Sequence, residues 1–311
     1  MTAATTTTIM HISEESNQIK LLRTSSSFTT TSCSAEDDII HAMISKLTDR
    51  EMEIAAQTSY EYFKYNKGNR KDIVSRMAQR YLDSKKDPDV ALTKMRETLA
   101  FRQTVNIDAI RTAFDEKNEC NNNSSADLKA LLEHRLSKKS HYVQGYDRDG
   151  RATYLFTPRL VDEHEEEGST KEILYSIERA LACSSTINVI IDFSSFSLTK
   201  NTPPPSIGKK TLLILRNHYV GQINKIFILD APATFSILWK MFSGFVGKET
   251  KKKIVFVNKK KKATIMSRYY SDQEATSWMI PDRGQKNRQL DVNEYFYKLP
   301  FDQAFDETPS T

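Results

Sequence analysis

The chain has 311 residues, of which 27% are charged and 39% hydrophobic, with a net charge of +5. These values exclude a fibrous or fully disordered chain and predict a soluble globular protein with room for one large domain or two smaller ones. No stretch approaches the 18 apolar residues of a membrane-spanning helix, and "MTAATTTTIMHISEESNQ" lacks the basic-then-apolar pattern of a secretory leader. Cys33, Cys120 and Cys183 are odd in number, widely spaced and fit no zinc pattern, which predicts free thiols in a reducing compartment and no metal.

In chain order, residues 1–34 are rich in Ser and Thr and poor in aromatics, and read as a disordered tail. Residues 35–125 read as a helical subdomain. Thr48 and Glu51 form a capping box that opens a helix continuing through Tyr60–Tyr65. "NRKDIVSRMAQRYL" reads as a second helix. A third starts at Asp87 as cap with Pro88 in its first turn. "EKNECNNNSSAD" reads as a loop, with Ser124 or Ser125 capping "DLKALLEHRL".

The period changes near Ser140, inside a second unit spanning residues 126–265. "HYVQGYDRDGRATYLFTPRL" is a predicted hairpin turning at Asp147–Gly150. "STKEILYSIERALAC" is a helix with Ser169 and Glu172 as a capping box. The strand "INVIIDF" follows, then a helix entered through prolines and closed by Gly221. "INKIFIL" and "KKKIVFV" are strands flanking a helix over Ala231–Val246. The uninterrupted apolar runs Val189–Ile191, Ile226–Leu229 and Ile254–Val257 mark strands buried on both faces, as in a parallel sheet with right-handed crossovers. Residues 266–311 read as an irregular segment packed on this lobe. The fold class is therefore α/β, with a helical N-terminal subdomain and a largely parallel sheet.

Catalytic signatures are missing where an α/β enzyme would carry them. The loops after the two central strands, "SSFSLTKNTPPPS" and "DAP", lack the Gly that lets a backbone approach a phosphate. There is no G-x-S-x-G elbow, "EHEEEG" lacks the second His of a zincin, and the other His are scattered singly. Asp192 at a strand end reads as a residue that turns the chain, and Cys183 and Ser184–Ser185 have no nearby base.

The helix at Ala231–Val246 is unusual. Phe235, Leu238, Trp239, Phe242, Phe245 and Val246 form one apolar stripe, while Ile237 and Met241 carry apolar surface further round. Its polar sector is narrow, so it wants apolar surroundings on two sides. Directly after it, Lys248–Lys262 holds eight Lys and one Glu. Trp and Phe suit a bilayer interface, and each Lys near an anionic surface contributes about 1 kcal/mol. Nucleic acid is not expected, because the run lacks interleaved stacking aromatics apart from Phe256, which reads as core.

"NHYVGQINKIFILDAPATFSILWKMFSGFVGKETKKKIVFV", with "DRDGRATYLF", "VIIDFSSFSL" and "RYLDSKKDPDVALTKMRETLAFRQ", resembles the CRAL-TRIO lipid-binding and lipid-transfer family over about Lys71 to Val257. The resemblance implies a sheet flooring a hydrophobic pocket and a mobile gate helix matching Ala231–Val246. It implies no catalysis and no cofactor beyond one bound lipid, whether phospholipid, phosphoinositide or isoprenoid. Phe235, Leu238, Trp239 and Phe242 fall on the gate, and Tyr154 and Phe156 on the pocket strand. Thr250, Lys253 and Arg80 match residues that hold a headgroup phosphate, while the acidic residue of phosphatidylinositol-binding members falls on Gly221. Lys259, Lys260, Lys261 and Lys262 would dock on an anionic membrane. The expected form is a cytoplasmic, peripherally membrane-associated monomer; the alternative is an interaction scaffold of the same fold that has lost its lipid.

Overall fold

A computed structural model describes residues 35–58, 69–114, 123–161, 164–197 and 204–271. The helical subdomain opens with α1 (Ala35–Ile44), α2 (Asp49–Ala56), α3 (Arg70–Lys85) and α4 (Pro88–Val105). The starts predicted at Thr48 and Asp87 form. The Thr48 hydroxyl accepts from Glu51 N at 3.2 Å while Thr48 N donates to the Glu51 carboxylate at 2.8 Å, and Asp87 accepts from Val90 N at 2.9 Å. α2 ends at Ala56, short of the predicted extent, and Tyr60–Tyr65 lies outside the described residues. Ile40, Met43, Ile54, Val74, Met77, Tyr81 and Met95 converge as one core.

Asn106, in the left-handed conformation at φ 54°, breaks α4 and starts a short α5 (Ile107–Arg111) that its side chain caps. No apolar period signals so short a helix. α6 (Asn123–Ser137) begins before Ser124, so neither Ser124 nor Ser125 caps it as expected, and it leads into the lobe. The hairpin β1 (His141–Tyr146) and β2 (Ala152–Phe156) is followed by α7 (Glu166–Leu181), β3 (Ile187–Asp192), α8 (Pro205–His218) and β4 (Ile223–Leu229). The lobe continues through α9 (Phe235–Phe242), α10 (Lys248–Lys252), β5 (Ile254–Val257) and α11 (Lys262–Met266). The sheet order is β1-β2-β3-β4-β5, with β1 antiparallel to β2 and every other pair parallel.

Three expectations need correction. α7 begins three residues before Ser169, because the Glu165 carboxylate caps Glu167 N and Gly168 N and extends the helix. Ser169 and Glu172 are therefore not a capping box. They are buried partners of Arg135, which donates to the Ser169 hydroxyl at 2.7 Å and the Glu172 carboxylate at 3.1 Å. β5 is not buried on both faces: it lies at the end of the strand order, and Phe256, expected in the core, is 53% exposed. The helix expected over Ala231–Val246 spans eight residues, not sixteen. Pro232 stands in the turn before it, and beyond Phe242 the chain passes into turns carrying Gly244.

The strand registers give the sheet two unlike faces. One face carries Leu155, Ile190, Phe227 and Val255 in register, with Leu229 beside Val257, and is closed by Met266, Tyr269 and Tyr270. The other carries the rows Tyr154–Val189–Ile226–Ile254 and Phe156–Ile191–Ile228–Phe256. α7 and α8 cover that second face from the β2 side, through Tyr175, Ile177, Ile214 and Leu215.

The subdomain and lobe are joined by polar as well as apolar contacts. Tyr81 and Thr98 hydroxyls share a 2.6 Å hydrogen bond, Thr98 donates to Asn217 O at 3.2 Å, and Phe101 stacks on His218 at 4.0 Å. Arg102 of α4 grips Glu178 of α7 with two hydrogen bonds, at 2.7 and 3.1 Å.

Candidate functional site

The site is built where the chain leaves β4. Asp230 takes a left-handed backbone at φ 50° while its N–H stays bonded to Val257 O at 2.9 Å. The turn through Pro232 then launches α9 across the second face of the sheet. Leu238 buries against Phe193 and Ile228. Phe235 meets Phe193 edge-on at 5.1 Å and Phe256 at 5.8 Å, and Trp239 meets Phe256 at 6.0 Å. On the α8 side, Phe242 lies directly on Gly208, where any Cβ would fall 2.6 Å from its ring. That contact explains a glycine inside a helix, which otherwise costs about 1 kcal/mol relative to Ala. The stripe Phe235–Leu238–Trp239–Phe242 thus faces the molecule, while Ile237 and Met241 are 54% and 41% exposed on the outer side. The two-sided apolar demand of the sequence corresponds to one face inward and one face outward.

Beneath α9 the sheet is incompletely covered. Ile190 and Phe227, on the opposite face, are fully sealed. On the α9 side, Phe156, Ile191, Ile226 and Ile254 are only half-buried, as is the apolar run Leu212–Leu215 of α8. A close-packed α/β interior would seal such residues. Phe156 opens the row that ends at Phe256 beside α9, and it stacks on His141 at 4.4 Å. Tyr154 is placed differently from its neighbour: it is buried in the main core with its hydroxyl 2.5 Å from His141 Nδ1. Burial lowers the His141 pKa.

At the opposite end of the sheet lie the residues matched to a headgroup. Thr250 and Lys253 share the last turn of α10, and the Lys253 ammonium donates to Ile223 O at 2.6 Å. Burial, then neighbouring Lys225, draws the Lys253 pKa below its ordinary value against the pull of Glu249. Two residues before Ile223, Gly221 sits at φ +73° with the Arg80 stem against it, 3.0 Å from where a Cβ would be. Arg80 and Lys253 therefore flank the same end of β4. Gly221→Glu is expected to lower unfolding free energy by about 1–2 kcal/mol, because a side chain there is strained in the left-handed region and presses on Arg80. Chemical denaturation checks this, and the variant is expected to gain no inositol-lipid binding.

Lys259, Lys260 and Lys261 are exposed after β5. Lys262 is not: it pairs with Asp230 at 2.7 Å. Sequence reasoning gave no signal for that pair, which joins residues 32 positions apart through the β4–β5 register. Asp192 closes its own turn, accepting from Ser194 N at 2.9 Å and from Arg159 at 3.3 Å. Burial pushes the Cys183 thiol up to about 12, which keeps it protonated and a poor nucleophile. Among the described residues no group of His, Cys, Asp and Glu could hold a metal, and no helix is long and apolar enough to cross a membrane.

Residues 136–276 match the CRAL/TRIO domain family. A CRAL-TRIO domain-containing protein of Schizosaccharomyces pombe is 26% identical over 116 residues, 36% of this chain and 11% of that protein. The phosphatidylinositol transfer protein PDR17 of Saccharomyces cerevisiae is 24% identical over 136 residues, 41% of this chain and 38% of that protein. The matched segment thus spans well under two thirds of either relative. The crystal structure of Sfh5 superposes with a TM-score of 0.58 over 84% of this chain and 90% of that one, at 13% identity, a likeness of fold.

Proposed function

From the premise that residues 136–276 are a CRAL/TRIO domain, we propose that this chain binds one hydrophobic ligand and carries it between membranes. The observation that carries the proposal is the difference between the two faces of the sheet. On one, Leu155, Ile190, Phe227 and Leu229 are buried by the protein's own side chains and only Val255 of the end strand is half-buried; the other, beside buried Val189 and Ile228, presents half-buried Phe156, Ile191, Ile226 and Ile254 beneath a helix that also shows apolar residues outward. An acyl or isoprenoid chain laid on that floor gains about 0.8 kcal/mol per buried CH₂, which offsets the cost of leaving a bilayer. α9 acts as the gate: Leu238 anchors its centre, Phe242 closes on Gly208 and Phe235 with Trp239 closes on Phe256. Arg80, Thr250 and Lys253 hold an anionic headgroup, with Lys253 exchanging its bond to Ile223 O for a phosphate oxygen. Lys259–Lys261 dock the gate side on an anionic, cytoplasm-facing membrane. The protein acts as a monomer and catalyses no reaction. Organic extraction of natively purified protein, followed by mass spectrometry, is expected to yield one lipid per chain. Protein that purifies empty, and stays empty after incubation with vesicles, would favour the scaffold reading.

A further inference from the structure

The hinge of the gate and the basic run meet at a single ion pair. Asp230 is the first residue after β4 and one of the few non-glycine residues in the left-handed conformation. A single such residue persists only where its surroundings hold it. Two contacts hold it: its N–H on Val257 O, and its carboxylate Oδ2 on the Lys262 ammonium at 2.7 Å. The pair is withdrawn from water, with side chains 12% and 14% exposed. The other carboxylate oxygen, Oδ1, is buried and accepts no hydrogen bond among the described residues. Asp230 therefore depends on Lys262, and Lys262 directly follows three exposed lysines, Lys259–Lys261.

We propose that the Asp230–Lys262 ion pair is a clasp that keeps the gate closed in water and is released by the phosphates of an anionic bilayer. The proposal rests on the gate reading above and adds how opening is confined to the membrane. An anionic surface attracts Lys259–Lys261, and its phosphate oxygens then compete with Asp230 for the Lys262 ammonium. Once Lys262 turns outward, Asp230 has no partner for either oxygen and lies near a surface of its own sign. Its backbone leaves the left-handed region, and rotation there swings α9 while the bond to Val257 O keeps the pivot in place. Gate opening then follows from surface charge, a response that neutral lipid does not elicit.

Amide hydrogen exchange read by mass spectrometry on the full chain tests the clasp, with residues of α9 as the gate reporter and those of α7 as the internal fold reference. The probes are phosphatidylcholine vesicles with and without phosphatidylserine. Wild-type gate amides are expected to exchange slowly in solution and on pure phosphatidylcholine, and faster once phosphatidylserine is present. Asp230→Asn and Lys262→Gln are each expected to raise gate exchange in solution at least about fivefold, because removing one partner leaves the other unpaired where water is largely withdrawn. Phosphatidylserine should add little in either variant. The exchanged pair, Asp230→Lys with Lys262→Asp, is expected to restore slow exchange and to abolish the response to phosphatidylserine, because residue 262 no longer attracts a phosphate. Replacing Lys259–Lys261 with Gln should leave the solution rate unchanged and lose vesicle binding. Wild-type exchange rates in both single variants, or a retained phosphatidylserine response in the exchanged pair, would overturn the clasp. A clasp that behaves as described in a protein carrying no lipid would instead remove the transfer reading and leave the clasp standing.

Discussion

Phe242→Asp is expected to abolish lipid uptake while leaving the fold intact. Phe242 is the residue through which α9 closes on α8, its ring resting where Gly208 has no side chain. A carboxylate at that contact meets the backbone at Gly208 and the apolar cluster of Phe193, Ile228 and Leu238, and closing the gate over it costs about 2 kcal/mol or more. Transfer of phospholipid between vesicles should therefore fall at least about tenfold, and the extracted protein should be empty. Stability should change by less than about 1 kcal/mol, because α9 contributes only Leu238 as a fully buried side chain. Phe242→Leu keeps the apolar contact and should transfer at close to the wild-type rate. Undiminished transfer by the Asp variant would remove α9 from the role of gate.

Glu178→Ala should have the largest effect on stability. Glu178 is buried at the junction of subdomain and lobe, where it accepts two hydrogen bonds from Arg102 and one from Tyr219 at 2.8 Å. Arg111 approaches it at 3.8 Å. The Arg102 and Glu178 side chains are 6% and 4% exposed. Removing the carboxylate leaves two buried guanidinium groups without their shared anion, a loss of about 3–5 kcal/mol. Denaturant unfolding measures it, and Glu178→Gln should recover part of the loss through its remaining acceptor.

The same carboxylate sets a pH dependence. Burial alone would raise the Glu178 pKa, but Arg102, with its hydrogen bonds, and Arg111 outweigh that and hold it below the ordinary value. A depressed folded pKa means the unfolded chain binds the proton more readily. The contribution is full above the unfolded Glu value of about 4.3 and is lost as pH falls through the lower folded value. Acid unfolding of the Glu178→Gln variant should accordingly be shallower than that of the wild type.

Local chemistry was readable without coordinates. The Thr48–Glu51 box and the Asp87–Pro88 start are contacts within four residues, so composition alone specifies them. The parallel lobe followed from apolar runs between helical periods, and the stripe of α9 from its 3.6-residue spacing. The proposed gate and headgroup roles of Phe242, Thr250, Lys253 and Arg80 come from the resemblance and not from any periodicity. Other features depended on which strand or helix lay alongside. Ser169 and Glu172 have the spacing of a capping box, yet they serve Arg135, because an acidic residue further upstream captured the helix start. Phe256 lies in an apolar run like those of the central strands, but its strand is at the end of the order and its ring stands against Phe235 and Trp239 of α9.

The sequence by itself determined the helix starts at Thr48 and Asp87, the α/β alternation and the two-sided apolar demand of α9, since each arises from neighbours along the chain. Only the tertiary structure decided that Gly208 receives Phe242, that Gly221 packs on Arg80, that Arg102 meets Glu178 and that Lys262 belongs to Asp230 rather than to the surface. Those pairs lie 32 to 141 positions apart. Strand order and register bring them together, and no periodicity records which distant residue a side chain will meet.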